Sequence, residues 1–210
     1  MLLHLSVIGF VTIVTYFLSL AKYNFKIIDF RWKICYDIDN YFIMQVFYLA
    51  KAELTIDTHT HSDLSPDGND PAERLATCAA ANGLDVLCIT DHFEVPEKED
   101  AAYRDLLQTR YHEILQTRQR HTADPCILAG LELGGAIYDP AFAEDLLRRY
   151  DFDFVLNSLH HIFYPDGPVD YYNVDYQRHD PQALLRDYFE KLYNQCRLGL
   201  YDSLAHIDYP

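Results

Sequence analysis

His59 and His61 stand one residue apart in "DTHTHSDLSPDG" (residues 57–68), and Asp67 follows six residues beyond the second. On an extended chain residues i and i+2 share a face, so the two imidazoles can grip one ion from the same side. A lone His-x-His is weak evidence for a metal; what matters is whether further ligands arrive from elsewhere in the chain. Candidates do arrive: His92 in "LDVLCITDH", Glu132 in "CILAGLELG", His160 in "FDFVLNSLHH" and His206 in "DSLAHID". Taken singly, His92 could be a satisfied core histidine and Glu132 a buried ion-pair partner. Together they point to a site of mixed imidazole and carboxylate, which suits Zn, Fe or Mn better than Mg or Ca. His160 and His161 are adjacent and would point to opposite sides of a strand, so only one is expected to face such a site. His4, His112, His121, His161 and His179 are expected at the surface. Ser65 lacks the G-x-S-x-G context of a strained strand-to-helix turn, which argues against a serine nucleophile.

The elements that must position these groups alternate along the chain. "ELTIDTH" (53–59) reads as a strand and "NDPAERLATCAAANG" as a helix. In that helix Asp70 is the expected cap, Pro71 suits the first turn, Glu73 completes a capping box and Gly83 marks the end. Strands are expected at 84–92, 126–134, 152–161 and 202–208, and helices at about 101–120, 140–150 and 180–199. Each of the five strands carries a histidine or carboxylate at or near its C-terminal end. Strands alternating with helices indicate an α/β fold with a parallel sheet, open or closed as a barrel, whose sites form at the strand C-termini.

Composition narrows the function. The chain has 210 residues, 17 basic against 32 acidic side chains and a net charge of -15. No basic stripe is present to follow a phosphate backbone, so nucleic acid is an unsuitable partner. A small phosphorylated substrate is compatible if bound cations supply the local positive charge. The five cysteines form no C-x-x-C pair, and four lie in apolar runs, which favours a reducing compartment such as the cytoplasm.

Residues 1–50 differ from the rest: they contain no Glu, no Pro and one Gly, and no charged side chain occurs before Lys22. Three readings stay open, one of them a structured extension. Residues 5–21 are about long enough for a membrane anchor, with Lys22, Lys26, Arg31 and Lys33 holding the following flank in the cytoplasm. Alternatively the segment is not native coding sequence, and translation starts at Met44 or close to Lys51.

From residue 53 onward the chain resembles the PHP (polymerase and histidinol phosphatase) superfamily, and within it the histidinol-phosphate phosphatases. The matching strings, in family order, are "DTHTHSDLSPDG", "LCITDH", "GLELG", "NSLHH" and "AHIDY". The resemblance implies a distorted (β/α) barrel, typically of seven strands with three metal ions, of which this chain would supply about five strands. It implies that His59, His61 and Glu132 bind a first ion and Asp67 and His92 a second. His160 and His206 would bind a third, with Glu132 bridging. The implied reaction is hydrolysis of L-histidinol phosphate by a metal-bound hydroxide, a late step of histidine synthesis. Arg178 and Arg197 are candidates for the substrate phosphate by position only. An Asp-x-His pair of the family pattern does not occur before the chain ends at Pro210, which reads as a C-terminal truncation. Another phosphoesterase on the same fold, or a non-catalytic fragment, stays open as an alternative.

Overall fold

The computed structural model describes residues 54–165 and 167–209. The expectations for residues 1–50 lie outside that range. No described helix is long and apolar enough to cross a membrane.

Strand β1 (Ile56–Thr60) is followed by helix α1 (Ala72–Ala81), β2 (Val86–Ile89), the short β3 (His92–Glu94) and α2 (Ala101–Arg120). Then come β4 (Cys126–Gly134), α3 (Pro140–Arg149), β5 (Phe154–Ser158), the hairpin β6 (His161–Tyr164) and β7 (Gly167–Asp170), α4 (Pro181–Cys196) and β8 (Ser203–Leu204). The main sheet runs β1-β2-β4-β5-β8, all parallel, with β3 also on β4, and curls into a half-barrel.

The period-2 pattern of β4 divides the sheet's two faces. Ile127, Ala129, Leu131 and Leu133 join the buried apolar clusters beneath the helices. The alternate positions include Gly130, Glu132 and Gly134, so the strand's one carboxylate stands between two glycines. Helix α1 buries Ala72, Ala76 and Ala79, spaced to form one stripe, and these small side chains let it lie close over Leu87, Ile89 and Ile127.

Four local expectations differ from the structure, the simplest being that the strand expected at 202–208 is only Ser203–Leu204. The segment 84–92 is two strands, because the chain leaves the ladder at Thr90 and Asp91. β2 pairs with Cys126–Ala129, and β3 resumes against Glu132–Gly134. The segment 152–161 ends as a strand at Ser158, and His161 opens an antiparallel hairpin that the alternating pattern did not predict. Its turn holds Pro165 and Gly167, whose φ of 125° is readily adopted only by glycine. The Asp70–Glu73 capping box does not form. Pro71 is the extended N-cap residue, which places Asp70 outside the helix, where it pairs with Arg74 at 3.0 Å. Glu73 pairs with Arg120 and with His121, which is thereby half-buried rather than free at the surface. At α3 and α4 an Asp-Pro start does form: Asp139 and Asp180 accept from Phe142 N and Gln182 N, and the proline takes the first turn.

Candidate metal centre

The strand ends converge on Glu132, which is fully buried. Its Oε2 lies 2.9 Å from His59 Nε2, 3.2 Å from His61 Nε2 and 3.5 Å from His92 Nδ1. Its Oε1 lies 2.9 Å from His206 Nε2 and 3.3 Å from His160 Nε2. Five imidazoles from four segments therefore surround one carboxylate. Burial opposes ionisation of Glu132, but hydrogen bonds from His160, His206, His59 and His61 outweigh it and hold the group far below the usual carboxylate range. His160 loses charge stability by burial and regains more from Glu132 and Glu94, so its imidazolium is pushed up to about 10.

Asp67 stands at the rim, more than half exposed, with Oδ2 3.2 Å from His92 Nε2 and 3.9 Å from His61 Nε2. The structure thus brings His59, His61, Asp67, His92, Glu132, His160 and His206 into one constellation. Three groups of donor atoms close enough to share an ion emerge: His59, Glu132 and His206; His61, His92 and Glu132; His92, Glu94 and His160. In these groups His59 joins His206 and His61 joins His92, while His59 and His61 also meet the same Glu132 oxygen, the pair that the resemblance groups together.

A cavity of about 720 Å³ opens over these groups. Among the described residues that line it none is Lys or Arg. Arg178 and Arg197 are not brought to the site. Arg178 is exposed and paired with Asp175 at 3.0 Å, and the Arg197 guanidinium lies 6.0 Å from the Tyr193 ring. Their position in sequence was no guide because both lie on the loops and ends that flank α4, away from the strand termini.

His161, expected at the surface, is buried and lines the cavity. The reasoning failed because β5 ends at Ser158, so strand alternation does not govern residues 160 and 161. Both instead meet Glu94: His160 Nδ1 lies 2.6 Å from Oε1 and His161 Nδ1 3.2 Å from Oε2. Burial lowers His161 and the two carboxylates Glu94 and Glu97 raise it further, to about 9. Glu94 and Glu97 were missed altogether. For Glu94 a signal existed: it is i+2 from His92 in an extended segment, hence on the same face.

Behind the cluster a second network fixes the first loop. Asp91 is buried and accepts from Ser62 N at 2.7 Å, Ser62 Oγ at 2.7 Å and Ser65 Oγ at 3.0 Å. Ser65 Oγ in turn accepts from His92 N at 3.0 Å. Arg110, buried on the inner stripe of α2, donates to the Leu64 and His92 carbonyl oxygens, the latter at 2.5 Å. One guanidinium therefore ties the loop that carries Asp67 to the residue that Asp67 faces.

The donor set suits a divalent transition metal. His160 Nε2 and His206 Nε2 face each other at 3.3 Å, and both face Glu132 Oε1. Two imidazole nitrogens so placed cannot both donate to each other, whereas both can offer lone pairs to one ion.

The PHP domain family model matches residues 57–210. The chain belongs to the PHP family. A "Probable histidinol-phosphatase" of Deinococcus radiodurans is 30% identical over 159 residues, covering 73% of this chain and 60% of that protein. The histidinol-phosphatase of Lactococcus lactis subsp. lactis is 26% identical over 159 residues, covering 73% and 56%. A crystal structure of histidinol phosphate phosphatase from Lactococcus lactis, complexed with zinc, L-histidinol and phosphate, superposes with a TM-score of 0.57 at 24% identity, covering 74% of this chain and 58% of that one. This PHP chain spans a little over half the length of the curated relatives it matches.

Proposed function

We propose that residues 57–210 form the metal-holding part of a phosphomonoesterase that hydrolyses L-histidinol phosphate to L-histidinol and phosphate. The observation that carries the reading is Glu132, with an oxygen turned to each of two sets of imidazoles in one open cavity. The relatives named histidinol-phosphatase support the choice of substrate.

His59, His61, Asp67, His92, Glu132, His160 and His206 would hold Zn, Fe or Mn ions. Such ions supply a water acidic enough to attack phosphorus near neutral pH, together with positive charge against the phosphate oxygens. That charge matters here, because the cavity wall is formed largely by carboxylates and imidazoles in a chain of net charge -15. His161, pushed up to about 9 by Glu94 and Glu97, adds positive charge to the wall. Asp170, fixed by Tyr172 N at 2.7 Å and by the Tyr209 hydroxyl at 3.2 Å, offers the substrate's ammonium an acceptor.

The test is phosphate release from a panel of phosphomonoesters by the zinc- or manganese-loaded chain, with Glu132→Gln as the control. L-histidinol phosphate should be cleaved much faster than nucleotides or sugar phosphates. Comparable rates across the panel would replace this reading with a general phosphoesterase. Release no faster than the control for every ester would overturn the hydrolase reading.

A further inference from the structure

We propose that Glu94 is a positioning residue of this centre: its buried carboxylate holds the Nδ1–H of His160, so that Nε2 is the nitrogen presented to the metal. The inference rests on the reading of the Glu132 cluster as a metal centre, and concerns a residue outside the seven ligands assigned above.

The geometry separates the two nitrogens of His160. Nδ1 lies 2.6 Å from Glu94 Oε1, whereas Nε2 points the other way, 3.3 Å from both Glu132 Oε1 and His206 Nε2. The ring itself is buried. A neutral imidazole carries one N–H, and a carboxylate beside one nitrogen places the proton there and frees the other lone pair. An outer carboxylate of this kind fixes both the tautomer and the ring plane of a metal-binding histidine. Glu94 is well suited to that work because its second oxygen is also engaged, by His161 Nδ1 at 3.2 Å. With both oxygens held by histidines, the carboxylate is anchored at two points.

The strand register shows how the fold admits a carboxylate at this depth. β3 runs beside β4 with His92 opposite Glu132 and Glu94 opposite Gly134. His92 and Glu94 share a face, as i and i+2 must on a strand. A Cβ on Gly134 would stand 1.9 Å from Glu94 Oε2 and 2.3 Å from its Cδ. The missing side chain of Gly134 is therefore the space that the Glu94 head occupies.

The alternative is that Glu94 is itself a ligand, sharing an ion with His92 and His160. That would require His160 to coordinate through Nδ1, and the two assignments predict opposite tautomers.

The experiment uses the full chain, with histidines labelled with ¹⁵N, titrated with zinc by calorimetry and followed by NMR. Wild type should take up zinc with His160 protonated at Nδ1 and coordinated at Nε2. Glu94→Gln should bind the same number of ions at saturating zinc, with affinity roughly 10–100-fold weaker, and with the His160 Nδ1–H signal shifted or lost. Gly134→Ala, which leaves every carboxylate and imidazole in place but pushes the Glu94 head aside, should weaken zinc in the same direction. It also carries the test if Glu94→Gln does not fold. One ion fewer per chain in Glu94→Gln at saturation, or His160 coordinated through Nδ1, would make Glu94 a ligand and overturn the proposal. Unchanged affinity and an unchanged tautomer in either variant would overturn it as well. Wild type that takes up no zinc would overturn the metal-centre reading on which it rests.

Discussion

Asp91 and Glu132 are both buried carboxylates, joined through a hydrogen bond from Glu132 N to Asp91 O at 3.2 Å, yet their surroundings differ in kind. Asp91 accepts from one backbone N–H and two serine hydroxyls, donors that carry their protons at any ordinary pH. Its network is complete within the protein, and Arg110 closes it on the far side through two backbone carbonyls. Glu132 faces five ring nitrogens, each of which can exchange its proton for a metal ion. The first network sets where the loop and His92 stand; the second decides what can be bound there. Scaffold and chemistry are thus separated across a single strand-to-strand contact, which makes the separation open to mutation.

The largest effect on binding should come from Glu132→Gln. Glu132 belongs to two of the three donor groups and His206 to one, so the glutamine should lose more zinc than His206→Asn. Elemental analysis after dialysis counts the ions, and the rise in Tm on adding zinc should vanish in Glu132→Gln while surviving in part in His206→Asn. Equal ion losses in the two variants would mean that Glu132 does not bridge.

Arg110→Met strikes the other network and should show the reverse pattern. Removing the guanidinium strands the Leu64 and His92 carbonyl oxygens in the interior, at a cost of about 2–3 kcal/mol. Urea unfolding should show this loss with and without zinc, while the increment that zinc adds stays close to wild type. If the zinc increment collapsed and the metal-free stability did not change, the division between scaffold and chemistry would be wrong.

Most of the cluster was legible because candidate ligands at strand ends leave a local signature. His59 and His61 at i and i+2, the carboxylate in an otherwise apolar "GLELG" and histidines closing three further strand-like segments can each be seen without coordinates. The scaffold was not legible to the same degree. Arg110 lies on a buried helical stripe with Leu107, Ile114 and Thr117, and in sequence it is one more charge on a polar helix. Its role depends on where α2 passes behind the first loop, which no spacing rule encodes. Glu94 and His161 were lost through strand limits. Asp91 turns its carboxylate toward Ser62 and Ser65 and interrupts the ladder, and Ser158 ends β5 three residues early. Once these breaks are known, alternation places Glu94 correctly beside His92, and it ceases to apply to His160 and His161. The Arg178 and Arg197 expectation failed for a plainer reason: a positive charge near a motif in sequence says nothing about which end of a strand it reaches.

Ser65→Ala should have a smaller effect, shared between the two networks. The hydroxyl donates to Asp91 Oδ1 and accepts from His92 N, so its loss removes two bonds and leaves a buried N–H unpaired, a cost of about 1–2 kcal/mol. Zinc affinity should fall slightly, because the backbone of His92 loses one of its two anchors. Retained stability with a large loss of zinc would place Ser65 in the metal centre rather than behind it.

The smallest effect on folding should come from Asp67→Asn, and it bears most closely on the comparison. Asp67 sits on the loop that Asp91, Ser62 and Arg110 hold in place, but its own carboxylate points into the cluster, 3.2 Å from His92 Nε2. Burial raises its carboxyl, but the charges of His92 and His61 more than reverse this and hold it below the ordinary carboxylate value. More than half of the side chain is exposed, so metal-free stability should stay within about 0.5 kcal/mol of wild type. Zinc affinity should nevertheless drop, since an amide oxygen is a poorer ligand than a carboxylate and brings no charge. Paired urea curves and calorimetric zinc titrations measure both quantities on the same protein. A stability loss comparable with that of Arg110→Met would show that Asp67 helps to hold the loop, and the two networks would then be one. Unchanged zinc affinity would remove Asp67 from the ligand set and leave His92 to bind through the cluster alone.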